Sequence, residues 1–135
     1  MNMSDTSGKV VFYGVSETSQ KLDYIMKALE LRNQHFEIKL IISEAITNAY
    51  THGNNSDKNK PIYVEWEVKD NLLSIKVEDC GQGVKDKKLH EEISEEKILD
   101  ESGRGLFIIN SYADELIFSG NTIIMKKYLL QDIND

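Results

Sequence analysis

The chain has 135 residues, 40% of them hydrophobic, and a formal net charge of −7. This size and composition predict a single domain over residues 1–135, with a polar N-terminal tail over residues 1–8. The acidic balance argues against direct binding of nucleic acid, and no apolar stretch approaches the roughly 20 residues that cross a membrane. With one cysteine and no secretory leader in the opening residues, we expect a cytoplasmic protein.

The first half of the chain predicts one strand followed by two amphipathic helices. Residues 9–15 are β-branched and aromatic, which is typical of a strand. Residues 16–32 carry apolar side chains at helical spacing, and the same pattern recurs over residues 36–52. Gly53 is a natural stop for this second helix.

The second half predicts a hairpin, a charged loop, a third helix and a closing hairpin. These segments cover residues 61–79, 84–102, 103–114 and 115–130. Because the strands are grouped in hairpins rather than alternating with helices, the order favours the α+β class. We predict a two-layer α/β sandwich, in which about three helices cover one face of a mostly antiparallel mixed sheet.

A carboxylate, an amide and an imidazole recur every four residues near the end of the second helix. At 3.6 residues per turn, Glu44, Asn48 and His52 would line one edge of its apolar stripe. An amide oxygen of Asn48 suits magnesium, which takes few protein ligands, and Glu44 could polarise an attacking hydroxyl or water. Taken alone, the helix favours a plain solvated surface.

Two glycine-rich segments follow further along the chain. In VEDCGQGV, Asp79 ends a strand and offers an acceptor for an adenine amino group, beside Gly81 and Gly83, which permit close approach of a planar ligand. In SGRGLFII, Gly103 and Gly105 precede a helix whose N-terminal amides could hold phosphate. A capped turn and an ordinary loop-to-helix transition are the alternative interpretations.

The dinucleotide, P-loop and ordinary protein-kinase motifs are absent from the sequence. The three clusters nevertheless follow one another in the order of a single nucleotide site built from separate segments. Residues 9–128 resemble the GHKL (histidine kinase-like) ATPase superfamily, which has the Bergerat ATP-binding fold. The motifs SEAITNAYTHGN, VEDCGQGV and ESGRGLFIIN are most similar to those of the small anti-sigma factor serine/threonine kinases.

The resemblance implies binding of ATP and Mg²⁺, with Glu44 as general base, Asn48 as magnesium ligand and Asp79 as adenine acceptor. It further implies a lid over about residues 84–104. The other residues expected around the nucleotide are Gly81 and Gly83 at the adenine, Gly103 and Gly105 at the phosphates, Arg104 as a candidate phosphate contact, and His52, Gly53 and Thr122 in supporting roles.

Members of this family phosphorylate a serine or threonine of an STAS-type anti-anti-sigma partner and regulate a sigma factor, typically as homodimers. This chain departs from them at the first helix, where Lys21 stands in place of the arginine that commonly touches the partners. A nucleotide-gated binding module without significant kinase activity is therefore the alternative function. A decayed site that only binds protein is a third.

Overall fold

The computed structural model of the chain describes residues 5–31, 33–81 and 101–130. Its elements follow the predicted order of strands and helices. They are β1 (Thr6–Tyr13), α1 (Thr18–Leu29), α2 (His35–Asn48), a π-helical turn (Ala49–Gly53), β2 (Pro61–Lys69), β3 (Leu72–Glu78), α3 (Glu101–Tyr112), β4 (Glu115–Ser119) and β5 (Thr122–Tyr128).

The strands form one sheet in the order β1-β2-β3-β5-β4, and each described pairing is antiparallel. Successive side chains of a strand point to opposite faces, so one face of β2 is buried and the other is exposed. The buried face packs against the helices in a single hydrophobic core. The α+β class and the two-layer arrangement are therefore confirmed.

Helices α1 and α2 supply much of the core because their apolar residues recur at helical spacing. The buried side chains of α2 are Ile38, Ile41, Ile42, Ala45 and Ile46. Glu44 and Asn48 lie beside this stripe and are half-buried. The core thus fixes the orientation of the helix that carries the predicted base and the predicted magnesium ligand.

Strand β1 begins at Thr6, whereas the sequence predicted a strand from Lys9 and a polar tail over residues 1–8. The longer strand pairs with β2 along its whole length, from Thr6 opposite Val68 to Tyr13 opposite Pro61. Those pairings depend on a strand remote in sequence, so local residue preferences did not show them. Residues 1–4 of the predicted tail lie outside the described part of the chain.

Helix α3 begins at Glu101, so Gly103 and Gly105 lie within its first turns and do not precede it as predicted. Glycine disfavours a helix interior, but packing of α3 against α2 outweighs this weak local preference. The predicted lid over about residues 84–104 therefore overlaps the start of α3 at residues 101–104. Residues 84–100 of the predicted lid lie outside the described ranges. Across the described residues, no helix is long and apolar enough to span a membrane.

Candidate functional site

The end of the π-helical turn and the end of β3 meet at three residues. A β-carbon on Gly53 would collide with the carboxylate of Asp79, and one on Gly81 would collide with the carbonyl oxygen of Gly53. A larger residue at position 53 would displace the carboxylate of Asp79, and one at position 81 would displace backbone. The predicted residues Gly53, Asp79 and Gly81 are therefore brought into direct contact.

The π-helical turn shifts the helical register between Asn48 and Gly53. The Asn54 N–H donates to the carbonyl of Ala49 at 2.8 Å, which adds one residue to the turn relative to an α-helix. The extra residue interrupts the row predicted for Glu44, Asn48 and His52. His52 is accordingly exposed at the helix end.

Asp79 is a half-buried carboxylate in a polar backbone environment. Burial raises the pKa of its carboxyl above the ordinary value, and the nearby charge of Glu78 raises that pKa further. The Gly81 N–H donates to Oδ1 at 2.7 Å and opposes the rise, because it stabilises the charged form. The Gly81 N–H pairs with Oδ1, and Oδ2 lies against Gly53, so an amino group that bonds to Oδ2 would have to approach beside this glycine. A carboxylate of this kind can accept from the exocyclic amino group of adenine.

The second half of the site lies one turn earlier on α2. A β-carbon on Gly105 would lie 3.1 Å from Glu44 Oε2 and 3.0 Å from Asn48 Nδ2. The start of α3 therefore packs directly over the predicted base and the predicted magnesium ligand. Glycine at this position keeps the space beside the carboxylate and the amide open.

The side chain of Asn48 supports a role in ligand binding. Its Nδ2 is buried and has no hydrogen-bond partner among the described residues. Buried polar groups are normally paired, so an unpaired amide calls for an explanation such as a missing ligand. The unpaired Nδ2 can donate to an acceptor such as a phosphate oxygen, whereas Oδ1 of the same amide is the atom that Mg²⁺ could take as a ligand.

Thr122 and Arg104 occupy different surroundings. Thr122 begins β5 opposite Glu78, which places it next to Asp79, and its hydroxyl donates to Asn121 Oδ1 at 3.4 Å. Arg104 lies exposed on the first turn of α3, next to Gly103. Gly83 lies outside the described residues.

Two asparagines that the sequence analysis did not select also bond to this site. Asn54 Oδ1 accepts from the Cys80 N–H, and Asn121 Nδ2 donates to the carbonyl of Asp79. Their sequence contexts, Gly-Asn-Asn and Ser-Gly-Asn, are those of ordinary turns. Only the spatial proximity of the segments could have identified them.

Lys21, at the position where the sequence departs from its predicted relatives, is engaged within the domain. Its ammonium donates to the carbonyl of Val11 at 2.6 Å and lies 3.4 Å from the carboxylate of Glu17. It also stands over the ring of Phe12, 5.6 Å from the ring centroid. Contact with a partner through this ammonium would have to replace these interactions.

Comparison with known proteins identifies the family of the chain. Residues 17–127 match the family described as the histidine kinase-like ATPase domain. This chain belongs to that family. Membership in an ATPase family implies that the chain binds ATP.

Several relatives carry the name anti-sigma F factor. The relative from Geobacillus sp. (strain WCH70) is 31% identical over 100 residues, which cover 69% of this chain and 68% of the relative. The relative from Shouchella clausii (strain KSM-K16) is 36% identical with the same coverage. The relative from Clostridium perfringens (strain SM101 / Type A) is 35% identical over 98 residues, or 67% of this chain and 70% of the relative. The predicted family resemblance is therefore confirmed.

Proposed function

We propose that this chain is an ATP- and magnesium-dependent anti-sigma factor serine/threonine kinase, which phosphorylates an STAS-type anti-anti-sigma partner and thereby regulates a sigma factor. The observation that carries the proposal is the placement of the Glu44 carboxylate and the Asn48 amide together under the start of α3. The relatives named anti-sigma F factor support the regulatory part.

In this proposal the nucleotide lies along the C-terminal half of α2. Its adenine amino group donates to Asp79, and its phosphates lie toward Asn48 and the first turn of α3. Positive backbone charge at a helix N-terminus favours phosphate, and Arg104 in that turn adds a cation. Asn48 would hold Mg²⁺, which supplies neutralisation of the phosphate charge when it is bound.

Glu44 would act on the hydroxyl of the partner. The hydroxyl oxygen attacks the γ-phosphorus, the bond from that phosphorus to the β,γ-bridging oxygen breaks, and ADP leaves. The hydroxyl proton passes to the carboxylate of Glu44. A positioned base of this type typically contributes about 10²–10⁴-fold to the rate.

The test is phosphoryl transfer from labelled ATP to candidate STAS proteins by the wild type and by Glu44→Gln. We expect the variant to lose transfer by about 10²-fold or more, since the amide cannot accept the proton. Calorimetric titration of ATP into both proteins provides the control, because the substitution leaves the adenine contacts in place. Equal transfer rates would remove Glu44 from the mechanism.

A second candidate function is a nucleotide-gated binding module that switches partner affinity without significant transfer. The internal contacts of Lys21 favour it, because they engage the cation near the start of the first helix, where similar proteins commonly carry an arginine that touches their partners. Stoichiometric phosphorylation of a co-purified partner would rule this function out.

We also expect a homodimer, which light scattering coupled to size-exclusion chromatography would detect as twice the chain mass of 15.5 kDa.

A further inference from the structure

We propose that Asn54 and Asn121 are positioning residues that hold the segment from Asp79 to Gly81 from two sides and so set the selectivity of the site for adenine. The inference rests on the proposed role of Asp79 as adenine acceptor. It adds two residues that act through Asp79 without touching the nucleotide.

Asn54 is fully buried, and its side chain makes three hydrogen bonds to backbone groups. Its Nδ2 donates to the carbonyls of Lys60 and Pro61 at 3.1 and 3.2 Å, and its Oδ1 accepts from the Cys80 N–H at 2.7 Å. One side chain thus ties the residue after Gly53 to the start of β2 and to the residue after Asp79. A buried amide with three backbone partners is costly to replace, because each partner would be left unpaired.

Asn121 holds the same segment from the opposite side. Its Nδ2 donates to the carbonyl of Asp79, and its own carbonyl accepts from the Asp79 N–H at 3.1 Å. It lies in the turn of the β4–β5 hairpin, directly before Thr122. The backbone of Asp79 is therefore fixed by a strand hairpin, and the backbone of Cys80 by the residue after the π-helical turn.

The close approach of Gly53 to Asp79 makes this double attachment relevant to ligand binding. The glycine leaves no space for the carboxylate to shift toward α2, and the two asparagines limit its movement in other directions. A hydrogen bond weakens steeply when its distance and angle depart from the optimum. Selectivity for an amino group over a carbonyl at the same ring position requires an acceptor whose orientation is fixed.

The two asparagines could instead contribute only to stability, so the test needs a readout that loss of stability does not change. The ratio of dissociation constants for ITP and ATP meets this need, because the two nucleotides share ribose, phosphates and magnesium. They differ at the 6-substituent of the purine and at the adjacent N1, which carries a proton in ITP and is an acceptor in ATP. A fall in the folded fraction changes both affinities equally. The ratio therefore reports the orientation of the Asp79 acceptor.

The experiment measures this ratio by calorimetry for the wild type, Asn54→Ala, Asn121→Ala and Leu29→Ala. Leu29→Ala is the matched control, since it removes a buried side chain at the end of α1 and should destabilise the fold. We expect a ratio of about tenfold or more in the wild type, as for one hydrogen bond to a charged acceptor. Both asparagine variants should reduce it several-fold, and the control should retain it.

The outcomes separate the two levels of the proposal. A wild type that binds ATP and ITP equally would overturn adenine recognition by Asp79, and with it the inference. A selective wild type whose selectivity survives in both asparagine variants would overturn the inference alone. If the buried Asn54→Ala variant does not fold, the half-buried Asn121 carries the test, because its substitution removes one hydrogen bond to Asp79 and leaves the backbone pair intact.

Discussion

Replacement of Asp79 by asparagine separates the contribution of this carboxylate to binding from its contribution to folding. The Gly81 N–H donates to Oδ1 at 2.7 Å, so the amide oxygen of the variant should take that position. The amide nitrogen then replaces Oδ2 and presents a donor to the amino group of adenine. The variant would lose one hydrogen bond to a charged acceptor, which is about 1.5–3 kcal/mol, or roughly 10- to 150-fold in affinity for ATP.

The stability of the same variant should move in the opposite direction. Burial raises the pKa of Asp79, so between the ordinary and the raised pKa the folded state binds more protons than the unfolded state. The free energy of unfolding of the wild type therefore falls as the pH rises through that window, and the loss is complete above the raised pKa. Asparagine does not titrate, so at neutral pH we expect Asp79→Asn to unfold at the same temperature as the wild type or at a higher one.

Calorimetric titration with ATP and thermal unfolding at several pH values test both parts. Glu78→Gln is the matched control, because it removes a neighbouring half-buried carboxylate without replacing the proposed adenine acceptor. Its affinity for ATP should stay within about twofold of the wild type. Undiminished ATP affinity in Asp79→Asn, or a clear loss of stability at neutral pH, would refute the assignment of Asp79 as a carboxylate retained for ligand binding.

Two further predictions address other parts of the site. Asn48→Ala should abolish the magnesium dependence of ATP binding, since it removes the proposed protein ligand of the metal. Calorimetric titration of ATP with and without magnesium measures this dependence, and an unchanged dependence would show that the metal is held elsewhere. Saturating ATP should slow the reaction of Cys80 with a thiol reagent, because this exposed thiol lies between Asp79 and Gly81 and is the only cysteine. Glutathione with the same ATP is the control, and equal rates for Cys80 with and without nucleotide would contradict the placement of the adenine.

The order and type of the elements followed from local sequence patterns. The alternation over residues 61–79 predicted a hairpin, and the structure has β2 and β3 there, joined at Asp70 and Asn71. The apolar spacing on the second helix predicted the core face of α2, with Glu44 and Asn48 beside it. Periodicity reports which face of an element is buried, and this information is contained in neighbouring residues.

Tertiary structure decided which backbone segments touch. The π-helical turn after Asn48, the start of α3 at Glu101 and the extension of β1 to Thr6 all depend on packing partners that are remote in sequence. The same holds for the contact of Gly53 with Asp79 and for the bonds of Asn54. Local residue preferences amount to a few tenths of a kcal/mol up to about 1 kcal/mol per residue, so packing and buried hydrogen bonds outweigh them. The sequence by itself therefore determined the elements and the residue types of the site. The fold decided that Gly53 lies against Asp79 and that two asparagines hold the backbone beside that carboxylate.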